Sequence, residues 1–299
     1  MKSGTITRRK LLKDSSIAAV GASLFFTSPF KAYGKSRQHP LSKVVLIRDK
    51  NVSDENGNAN KEVLEKMLDE GILKLTGMKF REDAWAQIFK PNDVLGIKTN
   101  VWNHLHTPEP LEELLREKAI GMGIIPEKIS INDRGVKTDP IFQNSTALIN
   151  VRPMRTHNWS GVGSLLKNYI NFAEYLPAYH PDSCADLAKL YDLPVVKGKT
   201  RLFVLVMLTP LFHGVGPHHY NKKYVWNYNG LIMSFDPVAA DATGLRIIQA
   251  KRNDFFQEDL PLNPPAKHIM LADTRHRLGN ADPNKIELIK LGWEERALI

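Results

Sequence analysis

Ala147-Leu-Ile-Asn-Val-Arg-Pro-Met-Arg-Thr-His-Asn-Trp-Ser-Gly-Val-Gly-Ser-Leu-Leu-Lys-Asn168 decides the fold. Ala147–Val151 reads as a buried strand that ends at Arg152. Gly161 and Gly163 then lead into a helix over Ser164–Phe172. The same alternation extends in both directions. Short apolar runs at Lys43–Ile47, Val94–Ile97, Lys128–Ile131, Arg201–Leu208 and Leu231–Phe235 read as strands. Helical spacing marks Lys61–Leu75, Pro110–Met122, Cys184–Tyr191 and Val238–Lys251, with a helical turn at Asp83–Phe89. The tail reads as a short strand near Ile269 and a last helix over Pro283–Leu291. Continuous apolar strands alternating with helices predict an α/β fold: a mainly parallel sheet covered by helices on both faces, as a single compact domain or two closely packed lobes.

The amino-terminal end carries a different signal. Thr7-Arg8-Arg9-Lys10-Leu11-Leu12-Lys13 precedes a modest apolar run, Ile17–Phe26, which Gly21 and Ser23 interrupt. The run is shorter than the about 20 residues a spanning helix needs. With Lys31 and the small-x-small triplet Ala32-Tyr33-Gly34 it has the pattern of a twin-arginine export signal. The expected organisation is a signal peptide over 1–34 and an α/β domain over 35–299. The twin-arginine translocase is the export partner and the periplasm the destination of a protein that crosses already folded.

The first 34 residues hold six of the chain's 41 Lys and Arg and one of its 32 Asp and Glu. The remainder therefore carries a net charge of only +4. This balance, without a run of like charges, gives no case for nucleic acid. Cys184 is the only cysteine, so neither an internal disulfide nor a self-ligated iron–sulfur cluster can form. Any metal must be held by His, Asp, Glu, Asn or backbone groups.

In open α/β sheets ligands bind beyond the carboxyl ends of the strands. The residues that follow the proposed strands are Asp49, Lys98 with Asn100, Asp133 with Arg134, then Arg152, Arg155 and His157, then His213, and finally Asp236. Gly161 and Gly163 before a helix offer free amides and a helix dipole to an anion. Lys167 lies one turn in, and Ser160 and Ser164 stand ready to cap. His104 and His106 share a face if their segment is extended, and His213, His218 and His219 crowd one loop. Imidazole suits a transition metal, so these five histidines are the candidate metal ligands. Asp236 and Asp241 open a helix behind Pro237 and read either as cap and first-turn carboxylates or as groups facing the ligand.

These elements, in order, resemble the domain of unknown function 362 family. The matching segments are Val94-Leu-Gly-Ile-Lys98-Thr-Asn100, Ala147 to His157 with Gly161 to Asn168, Gly216-Pro217, and Ser234-Phe-Asp-Pro-Val-Ala-Ala-Asp241. The resemblance runs from about Val44 to the carboxyl terminus. It implies redox chemistry, because many members carry ferredoxin-type cysteine motifs. This chain lacks them, so electrons would have to come from a redox partner protein. Arg155 stands where the family usually has Lys, which keeps the charge but cannot act as a base. The Gly163-Ser-Leu-Leu-Lys-Asn168 segment is also loosely similar to the lysine loop of nickel-pincer lactate racemases, in which a Lys-linked cofactor and histidines hold nickel.

The expectation is an exported enzyme, an oxidoreductase or an isomerase, acting on a small anionic molecule. Lys98, Asn100, Arg155, Ser160, Gly161, Gly163, Ser164 and Asn168 would bind that molecule. His157 and Lys167, with Asp236 and Asp241, would do the chemistry, with a histidine-held metal as the candidate cofactor. The alternative is a non-catalytic periplasmic protein that carries a ligand or cofactor in the same cleft.

Overall fold

The computed structural model describes residues 41–214 and 220–299. The twin-arginine segment, Gly216-Pro217, His218 and His219 lie outside the described residues. Strands β1 (Ser42–Arg48), β2 (Leu95–Lys98), β3 (Ile129–Asn132), β4 (Ala147–His157), β5 (Gly161–Gly163), β6 (Thr200–Leu211), β7 (Gly230–Ser234) and β8 (Ile286–Gly292) form one sheet. Its order is β3-β2-β4-β6-β7-β1-β8, with β5 paired to β4. β7 runs antiparallel to both its neighbours and β5 antiparallel to β4; all other pairings are parallel.

Helices cover both faces. On one, α1 (Lys61–Thr76), α2 (Arg81–Ile88) and α3 (Glu109–Gly121) pack Leu64, Leu68, Trp85 and Leu115 against Val45, Ile97, Ile149 and Val204. On the other, α6 (Pro237–Phe256) and α7 (Lys267–Thr274) pack Val238, Ile247 and Ile269 against Leu46, Leu148, Leu205 and Ile232. Two further helices are single turns, α4 (Pro140–Gln143) and α5 (Leu165–Asn168). Local chemistry sets the ends. The Asn60 side chain accepts from the amides of Glu62 and Val63 at the start of α1, and Gly77 closes it in the left-handed conformation. Among the described residues no helix is long and apolar enough to cross a membrane.

Four elements differ from the sequence reading. The fourth strand does not stop at Arg152 but runs to His157. Pro153, which lacks an N–H, is tolerated because β2 pairs with β4 only as far as Asn150, and the β4–β6 register shifts just beyond Pro153. The segment around Ile269 is α7 rather than a strand: Ala266, Ile269 and Ala272 are buried at helical spacing. The last element is β8 rather than a helix, because Ile286 to Leu291 pairs along β1 residue by residue. The expected helix over Ser164–Phe172 is four α-helical residues followed by a 3-10 turn, Tyr169–Phe172.

Candidate functional site

β4 is buried at every position, yet it carries Asn150, Arg152, Arg155 and His157. A buried polar group is costly unless it finds a partner, so each of these needs an account. Asn150 has one. Its amide nitrogen donates to the Leu165 carbonyl (3.1 Å) and to the Tyr191 hydroxyl (3.3 Å), and its oxygen accepts from Asn168 Nδ2 (2.8 Å). The same Asn168 nitrogen also donates to the carbonyls of Lys98 and Val151. Asn168, expected to touch ligand, therefore ties β2 and β4 to α5.

Lys98 is wholly buried at the end of β2. Its ammonium donates to Asp133 Oδ1, to the Thr99 carbonyl (2.9 Å) and to Asn168 Oδ1 (3.4 Å). Burial lowers Lys98 to about 8, against the pull of Asp133. Burial raises Asp133 in turn, but the Lys98 charge and the Val101 N–H outweigh it and hold the carboxyl below its ordinary value.

Three further cations stand beside this pair. The Arg155 Nη1 donates to Asn100 Oδ1 (2.9 Å), and its guanidinium lies 4.3 Å over the Trp102 ring. Its Nε is buried without a partner among the described residues. Arg152, only 4% exposed, makes no hydrogen bond to any described residue, and its Nε too is buried. Burial lowers Arg152 to about 10, so it stays charged at neutral pH. The Lys167 amine has one such partner, the Cys184 sulfur at 3.5 Å, and burial lowers it to about 8. Among the described residues only two carboxylates face these four cations: Asp133 interacts with Lys98, Arg152 and Arg155, and Asp241 with Arg152. The cluster thus holds an excess of two positive charges inside the protein, which an anion would offset.

Two neutral imidazoles belong to the cluster. His157 Nδ1 accepts from the Trp159 amide at 3.1 Å, which places the ring proton on Nε2. Burial, then the charges of Lys167, Arg152 and Arg155, drive its pKa far down. His157 is therefore a hydrogen-bond donor through Nε2. Trp159, half exposed, stands between His157 and His180. His268, on α7, is fully buried with neither ring nitrogen partnered, and burial with the charges of Lys167 and Arg152 lowers it to about 3. A His buried neutral binds its proton only after unfolding, so the unfolded state holds more protons between about pH 6.5 and 3. Stability is thus lost as the pH is lowered through that window. His268→Leu is expected to lack this contribution: its stability advantage over the wild type widens by about 1.4 kcal/mol per pH unit below 6.5. Thermal melts of both proteins at neutral and mildly acid pH measure it.

The glycine segment is arranged otherwise than its sequence suggests. Gly161–Gly163 is β5, hydrogen-bonded back onto β4, and the helix end behind it is filled from within. Asp241 accepts from the amides of Leu165 (3.0 Å) and Leu166 (2.9 Å) and from the Ser164 hydroxyl (2.6 Å). The anion at these amides is the chain's own carboxylate. Gly161 is required by its backbone: its φ is +71°, and a Cβ would lie 2.6 Å from the Pro264 carbonyl oxygen and 2.7 Å from the Ala266 nitrogen. Gly161→Ala is expected to destabilise by about 2–4 kcal/mol, read as a lowered denaturation midpoint. Gly163 serves the site more directly, since a Cβ there would meet Arg152 Nη2 at 3.0 Å and His157 Cδ2 at 3.5 Å.

Most of the remaining expected residues lie apart; Ser160, which interacts with Cys184, does not. Because β7 is antiparallel, Asp236 emerges at the opposite end of the sheet. There it caps α6 through Val238 and Ala239 and accepts from Ser42 Oγ and the Asn280 amide. Ser160 Oγ donates to the Val162 carbonyl. His104 and His106 sit in or beside a turn rather than an extended segment, and His104 stacks on Tyr220 at 4.1 Å. Both line a cleft of about 750 Å³ with Glu55, Glu109 and Trp226, on the face of the sheet away from Arg152. His213 Nδ1 lies 3.0 Å from Arg252 Nη1, against the Phe256 ring. Among the described residues no group of three or more His, Cys, Asp or Glu is placed to hold a metal.

Cys184 and His268 join the site without having been expected there, and Asp133 and Arg152, both noted at strand ends, join it without having been given a role. Arg152 was visible at a strand end, but only its lack of partners distinguishes it. His268 reaches the cluster from a distant helix.

Residues 125–246 match the model of a family described as Domain of unknown function (DUF362). The match runs from just before β3 to the middle of α6. It contains Asp133, Arg152, Arg155, His157, Lys167 and Asp241, while Lys98 and His268 fall outside it. No curated protein and no solved structure matches the chain.

Proposed function

We propose that this protein is exported in folded form by the twin-arginine route and binds a small dianion at Arg152, Arg155 and Lys167, with the charge of Lys98 behind them, on which it acts as an enzyme. The observation that carries this reading is Arg152, a buried arginine without a hydrogen-bonding partner among the described residues. A guanidinium presents five donors in a fixed fork that matches carboxylate or phosphate, and leaving it unpaired costs stability. A dianion would neutralise the excess charge and pair the orphaned donors of both arginines. His157, held neutral with its proton on Nε2, would add a further donor to the same ligand. An amine and a donor imidazole beside the anion site favour catalysis over carriage.

The test is purification from the exported fraction of its native host, followed by mass spectrometry of the small molecules released on denaturation. The expected result is one small dianion, a dicarboxylate or a phosphate ester, in stoichiometric amount. Protein found only in the cytosol, or exported protein that neither retains nor binds such an anion, would count against the reading.

A further inference from the structure

Lys98 and Lys167 are both buried lysines, but their surroundings differ. Lys98 is paired with Asp133 and bonded to a carbonyl and an amide oxygen, so its ammonium is fixed in place. Lys167 meets no carboxylate; the Cys184 sulfur is its partner, and Arg152 and Arg155 act on it with like charge. A lysine desolvated beside other cations is the arrangement that frees an amine for attack on a carbonyl. Burial raises Cys184 against the Lys167 charge, which keeps it a thiol rather than a competing nucleophile. Asp182, Ser183 and Cys184 have φ of 54°, 56° and 62°, a left-handed run of non-glycine residues that carries the sulfur to the amine. Such strain persists only where the surroundings enforce it.

We propose that Lys167 forms a Schiff base with the carbonyl carbon of a small 2-oxo dicarboxylic acid whose carboxylates are held by Arg152 and Arg155. The proposal rests on the anion-site reading above and names its substrate class. His157 donates from Nε2 to the carbonyl oxygen and polarises it, as a neutral imidazole does when its proton points at the substrate. The neutral amine attacks the carbonyl carbon, and a C–N bond forms as the C=O π bond breaks. His268, whose helix packs on the turn that carries Cys184, stays neutral with both ring nitrogens unpartnered, so it acts as a relay: one ring nitrogen accepts the proton that the Lys167 nitrogen loses as the other gives its own to the alkoxide, which becomes the carbinolamine hydroxyl. A second pass through the same relay carries the remaining nitrogen proton to that hydroxyl, which leaves as water. Amine and ketone become imine and water, with nothing oxidised or reduced. The fully buried position of His268 keeps this shuttle away from bulk solvent.

The experiment is reductive trapping. Purified protein is incubated with 2-oxoglutarate and cyanoborohydride, with and without excess oxalate, and the modified peptides are mapped by mass spectrometry. The expected result is one reduced adduct per chain, on the peptide that carries Lys167, suppressed by oxalate and absent in Lys167→Arg. In His268→Gln the trapping rate is expected to drop about hundredfold. Oxalate binding is measured by calorimetry on the same preparation. Adducts confined to exposed lysines, with oxalate binding intact, overturn the Schiff-base proposal alone. Absence of both the Lys167 adduct and oxalate binding overturns the anion-site reading with it.

Discussion

Arg152→Met is expected to abolish dianion binding while leaving the protein at least as stable as the wild type. The two effects have one cause. In the free protein the guanidinium is 4% exposed and unpartnered among the described residues, so it contributes desolvation cost without compensating hydrogen bonds. Methionine fills similar volume without charge. When a dianion is present, the same guanidinium supplies charge-assisted hydrogen bonds in a site of low dielectric. Losing them should weaken binding about a hundredfold or more, or about 3 kcal/mol. A purely structural arginine predicts the reverse pattern: lost stability and no selective effect on anions. Chemical denaturation and calorimetry on one preparation separate the two.

Asp241→Ala is expected to cause the largest loss of stability among single substitutions near the site, about 3–5 kcal/mol. Asp241 is fully buried and accepts three hydrogen bonds, from Ser164 Oγ and the amides of Leu165 and Leu166. Alanine strands all three donors where water cannot replace the carboxylate, and removes one of the two carboxylates facing the cations. The damage reaches the site because Lys167 and Asn168 lie in the same short helix. Asp241→Asn keeps one acceptor oxygen but presents an N–H₂ to a second donor, so an intermediate loss is expected. Burial pushes the Asp241 carboxyl up to about 7, against the three hydrogen bonds that favour its anion. Urea denaturation midpoints near pH 7 rank the three proteins.

Much of this arrangement was legible in the chain. Apolar runs alternating with helical periods define an α/β fold, and the polar residues at the ends of β2 and β4 include Lys98, Arg155 and His157. Lys167 stands out by its place after Gly161 and Gly163. What stayed hidden depends on strand direction and long-range packing. Asp236 resembles the other strand-end residues, but β7 is antiparallel, which sends it to the far edge. The amides behind Gly163 look open to an anion until Asp241 is found across from them, 75 residues away in sequence. Arg152 and Arg155 look alike in sequence; only the pairing of Asn100 with Arg155, and not with Arg152, tells them apart. His268 lies in a stretch with strand-like apolar content whose spacing is helical. β8 was masked by a proline at its start, although Ile286, Leu288 and the outward Glu287 already alternate with period two.

The central claim is that the buried cation cluster is an anion site. Calorimetric titration with oxalate, against acetate as the monoanion, tests it most directly. At about pH 7 the wild type should bind one oxalate per chain, at least about tenfold tighter than acetate, because four cations face two carboxylates. The affinity should fall above about pH 8, where Lys98 and Lys167 lose the protons that an anion requires. Absence of one-to-one binding, or oxalate affinity unchanged in Arg152→Met, would contradict the account.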